Sequence, residues 1–226
     1  KPSGVWIMAY TTIDDPTLYF SSTIWTGNAT DDRAIVIDGT GMQPDFVWIK
    51  SRNDTDNHRL VDSVRGATKH MESDGSGAEQ TSSNVKTFTS TGVTLSTNGS
   101  VNANSELYAS WAWKAGTAFS NDASSTSIGS IDSTGSVSTA AGFSIISWTG
   151  DGNDGATIAH GLGATPAIVI TKRRDDTGDW LVGGSLINTA RGGANSLLLL
   201  NTTAAMDSNS EVYQTFSSTT FQVGVN

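Results

Sequence analysis

The 226 residues contain no cysteine, which excludes disulfides and thiolate metal sites. Such a composition suits folding in a reducing cytoplasm. Basic residues are few as well: 13 Lys and Arg stand against 22 Asp and Glu, a formal net charge of -9. An acidic chain repels phosphate backbones, so neither nucleic acid nor an anionic membrane surface is expected as a partner. No apolar run approaches the ~18 residues of a membrane-spanning helix. Runs such as Leu197–Leu200 are the size of a strand. No signal peptide is visible at the start. Helix-favouring composition is also missing. Only 15% of residues are charged and 36% hydrophobic, whereas Gly, Ser, Thr, Asn and Asp abound. Short strands joined by polar turns have that profile, and helices do not.

What is present is a duplication. QPDFVWIKSRNDTDN at Gln43–Asn57 returns as TPAIVITKRRDDTGD at Thr165–Asp179, an offset of 122 residues. Pro44 falls on Pro166, Val47 on Val169, Lys50 on Lys172, Arg52 on Arg174 and Asp54 on Asp176. The match extends in both directions. Ile24-Trp25-Thr26-Gly27-Asn28 pairs with Ser147-Trp148-Thr149-Gly150-Asp151, and Gly39-Thr40-Gly41 with Gly161-Leu162-Gly163. Arg65-Gly66 pairs with Arg191-Gly192, Thr91–Leu95 with Thr219–Val223, and Val101-Asn102 with Val225-Asn226. The offset drifts between 122 and 128, as loop insertions produce. A period this long indicates tandem domains of one fold rather than a solenoid. The second copy stops where the first runs on into Leu107–Trp113, so it either lacks its last strand or has been cut. With no initial Met and no closing signal at Asn226, the chain reads as a piece of a longer one.

Within each copy the strand signals are β-branched runs and period-2 alternation. They fall at Ala34–Asp38, Phe46–Lys50, Thr87–Thr89, Gly92–Leu95 and Tyr108–Trp113 in the first copy. In the second they fall at Phe143–Trp148, Ala167–Thr171, Trp180–Val182, Leu197–Leu200 and Val212–Phe216. No amphipathic helix stands out. The expected fold is all-β: two tandem antiparallel β-sandwich repeats, jelly-roll-like. Residues 1–22 form an N-terminal extension or added strand, 23–114 the first repeat, and 143–226 the second, truncated at its last strand. The Ser/Thr/Gly-rich connection 115–142, charged only at Asp122 and Asp132, is either a linker or a pair of strands. On this reading Trp48, Trp111 and Trp113 lie in strands and belong to the core. The recurring stretch is then a core strand with its exit loop.

Catalytic constellations are thin. The three histidines, His58, His70 and His160, have none of the spacings of a zinc hydrolase. No GxSxG occurs, and Gly39-Thr40-Gly41 lacks the rest of a nucleotide fingerprint. Among 22 acidic residues some pair of carboxylates always looks suitable for glycoside hydrolysis, which carries no signal. No enzyme activity is expected. The oxygen-rich loops Asn53–Asn57 and Asp151–Gly155 have the ligand type of a calcium site but no closing Glu. Asp151, Asn153 and Asp154 are the calcium candidates, and no other cofactor is called for. The contact candidates are the loop acids Asp54, Asp56 and Asp176, with Trp6 and Trp180, which have no repeat partner.

The strings WTGN, GMQPDFVWIKSRN, LVDSVRGA, FTSTGVTL with VN, and YASWAWKAG closely resemble a repeated β-rich domain in structural proteins of tailed bacteriophages, of the tail-fibre or appendage type common in marine phages. The resemblance spans about Thr23–Asn226. Met42 stands where that pattern has Phe, and the first 22 residues match poorly. The resemblance implies a virion component, assembled in the host cytoplasm and built into a homo-oligomer among other virion proteins. It implies contact with a bacterial surface glycan through loops, or a head decoration or spacer without a ligand. A carbohydrate-active enzyme is the remaining alternative. No catalytic residue is carried over. Lys50, Asp62 and Arg65 are carried over as network residues, with Asp62 and Arg65 as a charge-assisted pair tying a loop to the sandwich.

Overall fold

The structure is a computed structural model and describes residues 13, 15–37, 42–191, 195–207 and 212–224. Trp6 lies outside the described residues, as do Gly39–Gly41, Gly192 and Val225-Asn226. The chain is all-β with antiparallel sheets, and the described residues include three short α-helices and one 3-10 turn, Pro16–Leu18.

Alternation builds the first half. The strands are β1 (Phe20–Thr26), β2 (Arg33–Val36), β3 (Phe46–Ser51), β4 (Arg59–Asp62), β5 (Lys69–Met71), β6 (Gln80–Thr81), β7 (Val85–Thr89), β8 (Gly92–Leu95) and β9 (Leu107–Trp113). Six of them form one sheet in the order β1-β9-β3-β4-β5-β6, in which β3 to β6 run as a meander. The other three form a second sheet, β2-β8-β7. In β3 the side chains Val47, Ile49 and Ser51 are buried while Phe46, Trp48 and Lys50 are half-exposed, because successive residues face opposite sides of a sheet. In β9 Tyr108, Ser110 and Ala112 take the inward phase. These faces meet Ile35, Val85, Val93 and Leu95 of the smaller sheet across one apolar core. Each fully buried Val, Ile or Leu there contributes about 1.5–3 kcal/mol. The helix α1 (Gly99–Asn102) closes one end. The Trp25 indole donates to the Val101 carbonyl at 3.0 Å, and its ring stacks on Tyr108 at 5.5 Å. Gly27 admits no side chain, since a Cβ would lie 1.8 Å from the Ala103 carbonyl oxygen in the turn that feeds β9.

The Ser/Thr-rich connection forms strands rather than a loose linker. It contributes β10 (Thr117–Asn121), the short helix α2 (Ala123–Thr126) and β11 (Ser133–Ser138), which extend the sheet of β12 (Phe143–Trp148) in the order β10-β11-β12. Two more sheets follow. One is β13-β18-β17, from β13 (Ala156–Ala159), β17 (Tyr213–Phe216) and β18 (Thr220–Val223). The other is β14-β15-β16, from β14 (Val169–Thr171), β15 (Leu181–Gly183) and β16 (Leu198–Leu199), with α3 (Ser185–Arg191) following β15. Their shared core centres on Ile158, Leu197, Tyr213 and Phe221, with Ile146, Trp148 and Val169 packed against it. Tyr213 is sealed in: burial pushes its hydroxyl well above the usual range, and it pairs with the Thr171 hydroxyl at 2.6 Å.

Candidate functional site

The site begins with the outer face of the six-stranded sheet. Trp48, Trp111 and Trp113, expected in the core, stand on this face instead, because Val47, Ile49, Ser110 and Ala112 occupy the inward phase. One row across the face reads Ser22, Trp111, Trp48, Leu60, Met71. The second half covers two parts of it. Trp180 packs over Leu60 and Met71, and Phe143 packs over the neighbouring row, 6.0 Å from Trp113 and 6.2 Å from Phe46. Trp48 and Trp111 remain between these covers, edge to face at 6.4 Å, with Trp111 37% exposed.

An open cleft of about 680 Å³ lies at Trp48, walled by His58 and Asp74 of the first half and by Leu200, Asn201 and Thr202 of the second. The Trp48 indole N–H donates to His58 Nδ1 at 2.7 Å. Burial lowers the His58 pKa; Asp74 opposes that shift and Lys50 adds to it. A neutral ring whose Nδ1 accepts from an indole carries its proton on Nε2, so His58 offers the cleft a donor. The His58 backbone N–H donates to Asp74 Oδ1 at 3.1 Å, which holds the two residues together. Asn201 is fixed by the Trp180 backbone N–H, donating to its Oδ1 at 2.9 Å, and by its own amide donating to Asp179 at 2.8 Å. The cleft thus offers a flat aromatic wall beside donors and acceptors held in place. Asp74 is the one carboxylate lining it among the described residues.

The residues singled out in the sequence lie elsewhere. Trp180 is 5% exposed, so its ring offers no platform to a ligand; its N–H donates to the Glu72 carbonyl at 2.7 Å, joining the halves. Asp54 and Asp176 sit in exit loops of identical construction. The Lys50 ammonium donates to the carbonyls of Ser51 and Asp54 at 2.9 and 3.0 Å, and that of Lys172 to Arg173 and Asp176 at 2.8 and 3.5 Å. In each loop the Asp carboxylate accepts from the next Thr backbone N–H, at 2.5 Å for Asp54 and 2.7 Å for Asp176. Asp56 is half-buried in the first loop. At the calcium candidates, both Asp151 oxygens accept from Asn153, at 3.0 and 2.8 Å, and Asp154 accepts from Gln214 at 2.7 Å. This is the hydrogen bonding of an Asx turn. Among the described residues no group of three or more His, Asp or Glu could hold a metal. The residues the sequence did not flag are His58, Asp74 and Leu200–Thr202. Only the Trp48–Lys50 strand phase could have pointed to them.

An ionic network, buried at Arg65 and Asp62 and half-open at Arg174, joins the covers. Arg65 pairs with Asp62, both 5% exposed, and also donates to Glu79 at 3.1 Å and to the Leu60 carbonyl at 3.0 Å. Arg174 reaches across from the second half, with Nε 3.0 Å from the same Glu79 and Nη1 3.0 Å from the Ser147 hydroxyl. Burial alone would raise the Glu79 pKa, but Arg174 and Arg65 outweigh it and hold the carboxyl below its usual range. Two backbone bonds reinforce the contact: Glu79 N–H to the Arg174 carbonyl at 2.8 Å and Gly178 N–H to the Ser76 carbonyl at 2.9 Å.

A described domain of unknown function (DUF7483) matches residues 15–226, and the chain belongs to that family. No curated protein and no solved structure gives a significant match.

Proposed function

We propose that this chain is a non-enzymatic component of a tailed-bacteriophage virion, a tail fibre or appendage, that contacts a glycan of the host surface. The cleft at Trp48 supports this reading most directly. Sugar rings present an apolar C–H face and a rim of hydroxyls. A half-exposed tryptophan pair, with His58, Asp74 and Asn201 around it, is complementary to both. On the same reading the two halves arose by duplication, and several copies assemble with other virion proteins. Loops and clefts on a rigid β scaffold are where recognition sits.

The test is retention of the purified chain on host cells and its displacement by host surface polysaccharide. Trp48→Ala is expected to weaken retention about 30-fold, the effect of losing an aromatic hot spot worth ~2 kcal/mol. Asp74→Asn is expected to weaken it less. Retention unchanged in Trp48→Ala refutes the glycan cleft, and immunogold label absent from intact virions refutes the virion reading. A head decoration is the second reading, favoured by the exposed apolar residues Ile24, Val36, Ile168, Ile170 and Leu186, which suit protein neighbours. Label spread over the head, with no cell binding, selects it.

A further inference from the structure

The two sides of the cleft at Trp48 differ in how far their polar atoms are used. On the second-half side the Asn201 amide serves Asp179 and the Trp180 backbone, and the Thr202 hydroxyl accepts from the Ala204 N–H at 3.2 Å. Leu200 beside them is 40% exposed and adds an apolar surface. The first-half side is the opposite. Ser73 and Asp74 form the turn that leaves β5, and His58 immediately precedes β4. Ser73 lines the cleft and is 4% exposed, yet its hydroxyl has no hydrogen-bond partner among the described residues. A buried hydroxyl left in that state is uncommon, because it has given up water and gained nothing in return.

Two more groups on this side are unspent. Asp74 Oδ1 accepts from the His58 backbone N–H, while Oδ2 has no partner among the described residues. The His58 imidazole stands on edge to the Trp48 indole, with ring centres 5.7 Å apart and planes at 69°. Its Nδ1 accepts from the indole N–H, so the ring proton sits on Nε2, which also lacks a partner among the described residues. That same bond consumes the indole N–H, so Trp48 offers the cleft a ring face and no donor. One side of the cleft therefore holds three groups beside an aromatic face. The Asp74 carboxylate only accepts, the His58 Nε2–H only donates, and the Ser73 hydroxyl does either.

We propose that Ser73, His58 and Asp74 select a sugar unit with two adjacent free hydroxyls, one accepting from His58 Nε2–H and the other donating to Asp74 Oδ2. The Ser73 hydroxyl bonds whichever of the two lies deeper. The proposal rests on the glycan reading of the cleft and narrows its ligand. The C–H face of the sugar lies on Trp48, and Leu200 lines the side away from the hydroxyls. A vicinal diol suits this side because each hydroxyl is both donor and acceptor, so the pair meets a fixed donor and a fixed acceptor at once. A unit in which one of the two hydroxyls is removed or substituted leaves His58 or Asp74 without its partner. Sites built to hydrogen-bond a hydroxyl reject the analogue that lacks it far more strongly than apolar pockets reject a misfit.

The experiment compares retention of the purified chain on untreated host cells and on cells oxidised mildly with periodate. Periodate breaks the carbon–carbon bond between adjacent hydroxyl-bearing carbons, and borohydride reduction afterwards removes the aldehydes that would capture lysines. Retention on the oxidised cells is expected to fall by about tenfold or more. On untreated cells Ser73→Ala is expected to weaken retention about fivefold, the effect of one neutral hydrogen bond. Its Tm should stay unchanged, because the hydroxyl holds nothing within the protein. Asp74→Asn keeps an oxygen for the His58 N–H and puts an amide donor where the free acceptor was, and is expected to weaken retention about tenfold. The proposal is overturned if oxidised cells retain the chain as well as untreated ones. It is also overturned if Ser73→Ala or Asp74→Asn binds untreated cells as the parent does, since any loss on oxidation then comes from diols that this side of the cleft does not touch. In each of these cases a Trp48→Ala variant that binds more weakly leaves the glycan reading in place. Trp48→Ala at parental retention removes that reading, and this proposal with it.

Discussion

Replacing Trp180 by Ala separates the covering of the outer face from everything else in the fold. The side chain is 5% exposed and packs on Leu60 and Met71, which lie more than a hundred positions away in sequence. A buried tryptophan removes about 150–250 Å² from water, and at ~25 cal/mol per Å² this amounts to about 4–6 kcal/mol. Trp→Ala substitutions in cores cost about 3–5 kcal/mol once partial collapse of the site is allowed. The bond from the indole to the Glu72 carbonyl, 2.7 Å long, is lost as well and is included in that range. At about 2–4 °C per kcal/mol for a chain of this size, Tm should fall by roughly 10 °C. Calorimetry is the assay, because it also reads cooperativity. If Trp180 joins the halves, the variant should melt in two steps where the parent melts in one. Trp111→Ala, at a site 37% exposed, serves as control and should cost about 1 kcal/mol or less. A Trp180→Ala variant that melts within about 3 °C of the parent, in one unchanged transition, would refute the reasoning.

Arg65→Ala breaks a pair buried on both sides and leaves Asp62 without its guanidinium while Glu79 keeps Arg174, so denaturant unfolding should show a loss of about 3 kcal/mol; a loss below ~1 kcal/mol would show that the network is ornamental. Glu79 has a folded pKa below its ordinary 4.5, so its contribution is full above 4.5 and is lost as pH falls from there through the depressed value. The acid limb of the stability curve should therefore flatten in Glu79→Gln, as followed by urea titration between pH 5 and pH 3; an identical limb in parent and variant sinks the assignment. His58, with its folded pKa below 6.5, favours the neutral ring, and its contribution is present above 6.5 and lost as pH falls through the lowered value. Protonation removes the acceptor for the Trp48 indole, so the indole N–H resonance should move in that window; a His58 titration at or above 6.5 by NMR contradicts the cleft electrostatics.

Much of the fold was legible before any coordinates. The runs FVWIKS and LYASWAW mark β3 and β9 as strands with two faces, but which face meets the core was not legible: Trp48, Trp111 and Trp113 were expected inside, and Val47, Ile49, Tyr108 and Ala112 are. The repeated Lys50 and Lys172, Asp54 and Asp176 mark one loop built twice, with each ammonium capping carbonyls of its own loop. Tryptophan was misjudged for a physical reason. Hydrophobicity says that Trp48 and Trp111 belong under cover but not which cover. Their exposure depends on where Trp180 and Phe143 come to rest, and that contact joins residues far apart in the chain. Trp180 did differ from the other tryptophans, as its lack of a repeat partner signalled, but its role is to close a face rather than to open a site.

The sequence by itself determined the all-β class, the positions of the main strands and the exit-loop chemistry, all of which depend on residues a few positions apart. It also determined that nothing in the given chain offers a thiolate. Only the tertiary structure decided the rest: which sheet face the second half covers, the cleft left uncovered at Trp48, and the shared Glu79 between Arg65 and Arg174. These depend on how two sheets with similar patterns pack against one another. No local pattern encodes that packing, because burial of apolar area is non-directional and is settled by the whole surface at once.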